Sequence, residues 1–381
     1  GSIRFLWISA TNPAVSLPEL HRIRSILKKE GLFVVVQDLF MTETAQLADV
    51  VLPAATWGEK EGTFTNADRT VHHSDKAVQP PGEARSDLDI FLDYARRMGF
   101  RDKDGGPLIN WDAPESAFEA WQACSAGRPC DYTGLSYDKL RAGGETQWPC
   151  NDRYPDGRER LYTEHDFYAD PDYCESYGRD LVTGTSLEPH EYRALNPQGK
   201  AIIKAAAYLP PAEAPSEEYP LRLNTGRTVY HFHTRTKTGR APQLAAAAPD
   251  VWAELSTADA EPHGVLEGDV IDVITPRGRV RAPARITDIR PGVVFVPFHY
   301  GYWDADDADG NHRAANELTI TEWDPASKQP IYKAAACRIE KVADANGTVA
   351  PAPTTTASSP LTAMPATTGG AAAQTTEQLG R

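Results

Sequence analysis

Thr225-Gly226-Arg227-Thr228-Val229-Tyr230-His231-Phe232-His233-Thr234, running on through Arg235 and Lys237 to Arg240, sets three arginines, one lysine and two histidines in sixteen residues without a carboxylate. The 381-residue chain as a whole leans the other way, with 53 Asp and Glu against 39 Lys and Arg and a net charge of −14. A local excess of cations, interleaved with hydroxyls and a glycine whose amide can be approached closely, suits a small polyanion such as a phosphate-bearing ligand. A solvated polar loop is the alternative reading. If the segment were a strand, His231 and His233 would share a face, but no third ligand stands at a metal-like spacing. Zinc requires three or four ligands, so no metal residue is assigned.

The other residues able to do chemistry lie near the N-terminus. Lys60 sits in Glu59-Lys60-Glu61-Gly62-Thr63-Phe64-Thr65-Asn66, a charge alternation that is a solvated turn unless phosphate or a carbonyl is in reach. Asp38 ends an apolar run, where a carboxylate either caps a loop or pairs with adjacent N–H donors of a ribose or guanine edge. Asp87 carries the same ambiguity, because it also suits a helix first turn.

The elements that must position these groups follow from periodicity. Ile3 to Ile8, Leu32 to Val36 and Val50 to Leu52 read as strands. Between the first two, Ser16 and Glu19 have capping-box spacing before a Leu20, Ile23, Leu27 stripe that stops at Gly31. Thr42 can cap a short helix through Leu47. Strand and helix alternate, which implies a parallel sheet whose ligands gather beyond the carboxyl ends of its strands, near Asn12, Gln37 and Asp38. A further helix is predicted from Ser86 to Gly99, burying Leu88, Phe91, Leu92, Ala95 and Met98.

From about residue 100 to 200 periodicity fades into ordered but irregular structure, since the chain's eight tryptophans argue against disorder. After a proline-rich linker from Pro210 to Pro220, strands return. Val280, Ala282, Ala284 and Ile286 alternate with Arg279, Arg281, Pro283 and Arg285, and Val293 to Phe298 is an apolar run of the kind buried in a closed barrel. Beyond Val342 an Ala/Thr/Pro-rich tail is expected to be disordered. The domain expectation is therefore 1–100, an irregular extension at 101–210, 211–342, and a tail at 343–381.

An acidic chain is a poor match for nucleic acid or anionic membranes, and no apolar run approaches the roughly 20 residues that cross a bilayer. The five cysteines, Cys124, Cys130, Cys150, Cys174 and Cys337, form no Cys-x-x-Cys pair. Their scatter favours free thiols and a cytoplasmic setting, and places any iron-sulfur cluster elsewhere. The opening Gly1-Ser2, running directly into a strand, reads as a piece of a longer polypeptide.

Taken in order, Asn12-Pro13, Gln37-Asp38-Leu39-Phe40-Met41-Thr42-Glu43-Thr44-Ala45, Ala48-Asp49-Val50-Val51-Leu52-Pro53, the segment Glu59 to Asn66, Thr225-Gly226-Arg227, Val294-Phe295-Val296-Pro297-Phe298-His299, Asn316-Glu317-Leu318-Thr319, Asp324-Pro325-Ala326-Ser327-Lys328 and Lys333 resemble the bis-molybdopterin guanine dinucleotide oxidoreductases. The resemblance covers roughly residues 3 to 342 and looks closest to the assimilatory nitrate reductase and formate dehydrogenase branches. It implies an α/β fold: part of a parallel-sheet dinucleotide-binding domain, then a double-psi six-stranded β-barrel similar to aspartate decarboxylase. It implies a molybdenum bis-(molybdopterin guanine dinucleotide) cofactor, with a [4Fe-4S] cluster and the protein ligand to molybdenum in an N-terminal part that this chain lacks, so that the fragment would be inactive alone.

By the same resemblance, Asn12, Gln37, Asp38, Lys60 and Asp87 match guanine dinucleotide contacts. Thr225, Gly226, Arg227, Thr228, Val229, Tyr230, His231, Phe232, His233, Thr234, Asn316 and Lys333 match pterin and phosphate contacts, and Phe298 matches a position lining the substrate approach. Asn66-Ala67-Asp68-Arg69 departs from the usual Glu before Arg. The implied reaction is nitrate reduction by oxygen-atom transfer, with electrons from a ferredoxin or flavoprotein. Formate oxidation on the same scaffold is the alternative, and a non-catalytic electron-transfer subunit is an alternative of another class.

Overall fold

In the computed structural model, which describes residues 2–143, 146–161, 163, 208–305, 312–324 and 328–347, the first three apolar runs form one parallel sheet. Its strands β1 (Phe5–Ser9), β2 (Phe33–Asp38) and β3 (Val50–Pro53) lie in that order, with Phe5 opposite Phe33 and Val35 opposite Val50. Successive side chains of a strand point to opposite faces. Val34 and Val36 therefore pack with Ile8, Ala14 and Leu27 beneath α1 (Pro13–Ser16) and α2 (Leu20–Leu27), while Trp7 and Gln37 turn to the other face. There α3 (Asp87–Met98) sets Phe91 and Tyr94 with ring centroids 5.2 and 4.9 Å from Trp7.

The helix ends agree with the sequence in part. Thr42 accepts the Ala45 amide at 3.2 Å and opens the short helix Ala45–Leu47. Ser86 accepts the Asp89 amide at 3.1 Å, and Gly99 ends α3 with φ of 64°. Ser16 and Glu19, however, form no capping box. Glu19 precedes α2 at φ 49°, and its carboxylate accepts from Arg22 at 3.2 Å and from the Thr321 hydroxyl. The buried face of α3 is also rotated: Ile90, Leu92 and Ala95 are inside, while Phe91 and Met98 are exposed. A helix turns about 100° per residue, so a face chosen one residue away misplaces the stripe by a quarter-turn or more. Here the tie from Asp87 to Gln37 helps set the rotation.

The stretch expected to be irregular contains two helices, α4 (Pro114–Ser125) and α5 (Tyr137–Gly143). Phe118, Tyr132, Leu135, Tyr137, Leu140 and Cys150 gather with Val71 into a small second core. β6 (Thr146–Gln147) adds a third strand to the hairpin of β4 (Gly62–Thr65) and β5 (Thr70–Ser74). Periodicity missed these helices because α4 separates apolar from polar faces only weakly and α5 is two turns long. Residues 164–207 lie outside the described residues.

The second half closes a six-stranded barrel. β7 (Leu221–Gly226), β8 (Ala253–Ser256), β9 (Val270–Thr275), β10 (Gly278–Thr287), β11 (Val293–Pro297) and β12 (Ala335–Ala343) are arranged β10-β8-β11-β7-β12-β9. The pairs β7–β11 and β8–β10 are parallel, and the remaining pairs are antiparallel. Val280, Ala282 and Ala284 point into the barrel with Leu223, Leu255, Val273, Val294, Val296 and Ile339, as the alternation predicts. β12 runs through Ala343, the first residue expected in the tail, and residues 348–381 lie outside the described residues. No helix among the described residues is long and apolar enough to cross a membrane. Cys124, Cys130, Cys150 and Cys337 carry free thiols.

Candidate functional site

The basic segment is not a strand. β7 ends at Gly226, where a Cβ would lie 2.4 Å from the Phe295 ring, so only glycine lets the backbone leave the barrel over that ring. Beyond it the chain turns repeatedly. His233 and Arg235 adopt left-handed backbone angles, φ 44° and 64°, a conformation costing on the order of 1 kcal/mol per non-glycine residue.

These turns divide the six basic side chains into two groups. His231 is buried: one ring nitrogen meets the Ala248 carbonyl at 2.7 Å, the other meets Thr238 Oγ1 at 3.1 Å, and burial lowers its pKa. Arg235 is 1% exposed, donates to Asp304 and to the Pro249 carbonyl at 2.9 Å, and stacks on Tyr300 and Trp303. Both hold the loop in place. His231 and His233 do not share a face, because the segment is not a strand and the second turns outward.

Arg227, His233, Lys237 and Arg240 remain at the surface. Arg240 stacks on Trp303 at 3.9 Å and Phe40 at 4.3 Å, while Arg227 stands 6.0 Å above the ring of Phe298, which packs on the barrel core. Partial burial, then Arg227 and Lys237, lowers the pKa of His233; partial burial, then Arg227, does the same to Lys333. Among the described residues, Arg227, Lys237 and Lys333 make no ion pair with a carboxylate. Lys333 donates to the Thr225 carbonyl, and Thr225 Oγ1 donates to the Tyr332 carbonyl at 2.8 Å. The Thr228 hydroxyl beside them is buried without a hydrogen-bond partner. Val229, Tyr230 and Phe232 are exposed along the same loop. An uncompensated positive patch with an orphaned hydroxyl is chemically incomplete, and an anionic ligand bearing hydrogen-bonding oxygens would complete it.

The strand-end residues meet this patch unequally. Asp38 reaches it: burial raises its pKa, and it lies in the field of Lys237 and Arg240 as well as of Asp87. Asp87 pairs with Lys60 and accepts from Gln37 at 2.7 Å, and Lys60 and Asp87 line a cleft of about 370 Å³ with Phe64, Trp121 and Tyr137. Gln37 itself is fully buried, its second amide atom accepting from Trp7 at 3.2 Å. Asn12 is committed to Glu43 at 2.8 Å, Thr44 at 2.7 Å and Thr234 at 3.4 Å; Asn316 donates to the Val15 carbonyl at 2.9 Å. Asn12, Thr234 and Asn316 thus join the sheet to the barrel, while Gln37 ties β1 and β2 to α3. In the atypical Asn66–Arg69 turn, Arg69 turns away to hold the Trp148 and Arg158 carbonyls.

Two further residues at the joint had no role assigned from the sequence, although both fall inside quoted motifs. The buried Glu43 carboxylate accepts from Asn12 and from the Tyr302 and Trp303 amides at 2.5 and 3.0 Å, which docks the sheet on the barrel. His299, fully buried, donates from Nδ1 to the His233 carbonyl at 2.6 Å and accepts the Thr228 amide on Nε2 at 2.8 Å. Burial pushes its pKa down to about 4, which keeps the ring neutral. Because the folded pKa lies below the unfolded one, the unfolded chain takes up a proton first, and stability falls as pH drops from about 6.5 toward 4. Urea unfolding at pH 7 and pH 4.5 should show a pH-dependent loss of about 2 kcal/mol that is missing in His299→Gln. An equal loss in the variant would remove His299 as its cause.

Residues 1–97 match the molybdopterin oxidoreductase family model and residues 221–336 the molydopterin dinucleotide binding domain model. A nitrate reductase of Symbiobacterium thermophilum is 37% identical over 344 residues, covering 90% of this chain and 42% of that protein. The F420-dependent formate dehydrogenase subunit alpha of Methanocaldococcus jannaschii is 36% identical over 342 residues, covering 90% and 44%. The acetylene hydratase structure from Pelobacter acetylenicus has the same fold over 89% of this chain and 44% of its own, with a TM-score of 0.63 at 20% identity. The chain thus spans a little over two fifths of the length of these relatives.

Proposed function

From a chain that belongs to the molybdopterin oxidoreductases, with residues 221–336 forming a molydopterin dinucleotide binding domain, we infer one half of a cleft for a molybdenum bis-(molybdopterin guanine dinucleotide) cofactor. The observation that carries this reading is the set of cations without carboxylate partners among the described residues, Arg227, Lys237 and Lys333, on the face that also holds the unsatisfied Thr228 hydroxyl. These groups and His233 bind pyrophosphate, with exposed backbone of the loop. Asp38 accepts from a guanine edge, helped by the Lys60–Asp87 pair, while Asn12, Gln37, Thr225, His231, Thr234 and Asn316 hold the walls at their spacing. The parallel pairs β7–β11 and β8–β10 support a double-psi barrel.

When bound, the molybdenum centre supplies two-electron redox chemistry; the residues of this chain orient it and balance its charge. Phe298, beneath Arg227, lines the approach of a small anion. The reaction proposed for the complete protein is nitrate plus two electrons and two protons giving nitrite and water. Electrons come from a ferredoxin or flavoprotein through an iron-sulfur cluster on the part of the protein outside this chain. Formate oxidation is the second reading, supported by the near-equal identity of the formate dehydrogenase relative. A non-catalytic scaffold is disfavoured by the uncompensated cations, whereas His231 and Lys60 have partners of their own and do not decide between the readings.

The test is to purify the complete polypeptide, quantify molybdenum and guanine nucleotide, and compare nitrate-dependent oxidation of a reduced dye with formate-dependent dye reduction. Both cofactor components and nitrate activity are expected. Absence of both components would sink the cofactor proposal, and formate activity alone would reverse the substrate.

A further inference from the structure

The small second core contains a lysine and a cysteine in direct contact away from the cofactor cleft. Lys139, on α5, donates from Nζ to Cys150 Sγ at 3.3 Å, to the Gly134 carbonyl at 3.2 Å and to the Pro155 carbonyl. The Cys150 thiol donates to the same Pro155 carbonyl at 3.5 Å and is fully buried. The nitrogen is thus held against the sulfur by two carbonyls, and Cys150 is fully buried in the cluster that contains Phe118, Tyr132, Leu135 and Tyr137. Enclosure excludes bulky thiols such as glutathione, which closes the usual route to a mixed disulfide, whereas a small apolar oxidant can diffuse in.

We propose that Lys139 and Cys150 are a site of oxidative cross-linking, in which one oxygen atom joins the lysine nitrogen to the cysteine sulfur. With dioxygen as the oxidant the step balances as R–NH2 + HS–R′ + O2 giving R–NH–O–S–R′ + H2O. One N–O and one S–O bond form, one N–H and the S–H bond break, dioxygen accepts four electrons, and its second oxygen leaves as water. Counted from the ammonium form, the same step releases one further proton. The bridge ties α5 to the segment that follows β6. α5 also carries Tyr137, which lines the cleft beside Lys60, and Arg141, which holds Glu61 at 2.8 Å. Oxidation would therefore fix one wall of that cleft, and reduction would release it.

The experiment uses the complete polypeptide purified in air and under argon, with intact-mass measurement and peptide mapping. The aerobic sample is expected to gain about 14 Da on a cross-linked pair of peptides containing Lys139 and Cys150. The gain should disappear on treatment with dithiothreitol and be absent from Lys139→Arg and Cys150→Ala. Amide exchange of residues 137–143 should slow several-fold in the bridged sample and recover on reduction. Oxygen added to Cys150 alone, to the same extent in Lys139→Arg, would overturn the proposal. So would a loss of about 2 Da mapping to a Cys130–Cys150 disulfide, or an unmodified wild-type mass after aerobic purification.

Discussion

Glu43→Ala should lower the stability of the folded chain by about 3–5 kcal/mol, because it leaves several buried donors without an acceptor. The Asn12 side-chain amide and the Tyr302 and Trp303 backbone amides all converge on this carboxylate. The fit is also steric: a Cβ on Gly301 would lie 2.2 Å from Glu43 Oε1, so the barrel loop reaches the carboxylate only as glycine. Loss of Glu43 therefore weakens the joint between sheet and barrel as well as three hydrogen bonds. Urea unfolding of the wild type, Glu43→Ala and Glu43→Gln separates the contributions, since glutamine keeps one acceptor oxygen and the volume and should lose about half as much. A loss below about 1 kcal/mol in the alanine variant would show that the joint is held elsewhere.

Arg227→Ala should have the opposite signature, leaving stability almost unchanged while weakening retention of the guanine dinucleotide roughly 10- to 100-fold, the worth of one charge-assisted contact. The guanidinium is exposed, has no carboxylate partner among the described residues and stands 6.0 Å above the Phe298 ring. Guanine nucleotide released per polypeptide, measured beside the thermal midpoint, gives both quantities from one preparation. Lys237→Ala should follow the same pattern more weakly. Unchanged nucleotide content in Arg227→Ala would count against the phosphate role, and a fall in the thermal midpoint would reassign Arg227 to the scaffold.

Local signals carried well from chain to structure. The Ser86 and Gly99 ends of α3, the Thr42 turn, the parallel order of β1 to β3 and the alternation along β10 each depend on residues within one element or its neighbours. The helices α4 and α5 did not carry: their stabilising partners, including Val71 and Cys150, come from other segments, and neither helix has an amphipathic pattern strong enough to be seen alone. The tilt of the α3 face failed for a related reason, since Gln37, fifty residues earlier, helps set the rotation.

The site divides along the same line. A basic segment in an acidic chain is a property of composition, and the sequence alone determined that its residue types suit an anion. Which of its members reach the surface was decided only by the tertiary structure. His231 and His233 stand two residues apart, yet one is spent on the Ala248 carbonyl and the other turns outward, because the backbone reverses at His233. Asn12 and Asn316 have the chemistry of ligand contacts but are spent on partners as far as 301 residues away. A buried polar group must be satisfied by whatever the fold brings beside it, and no local pattern records what that will be.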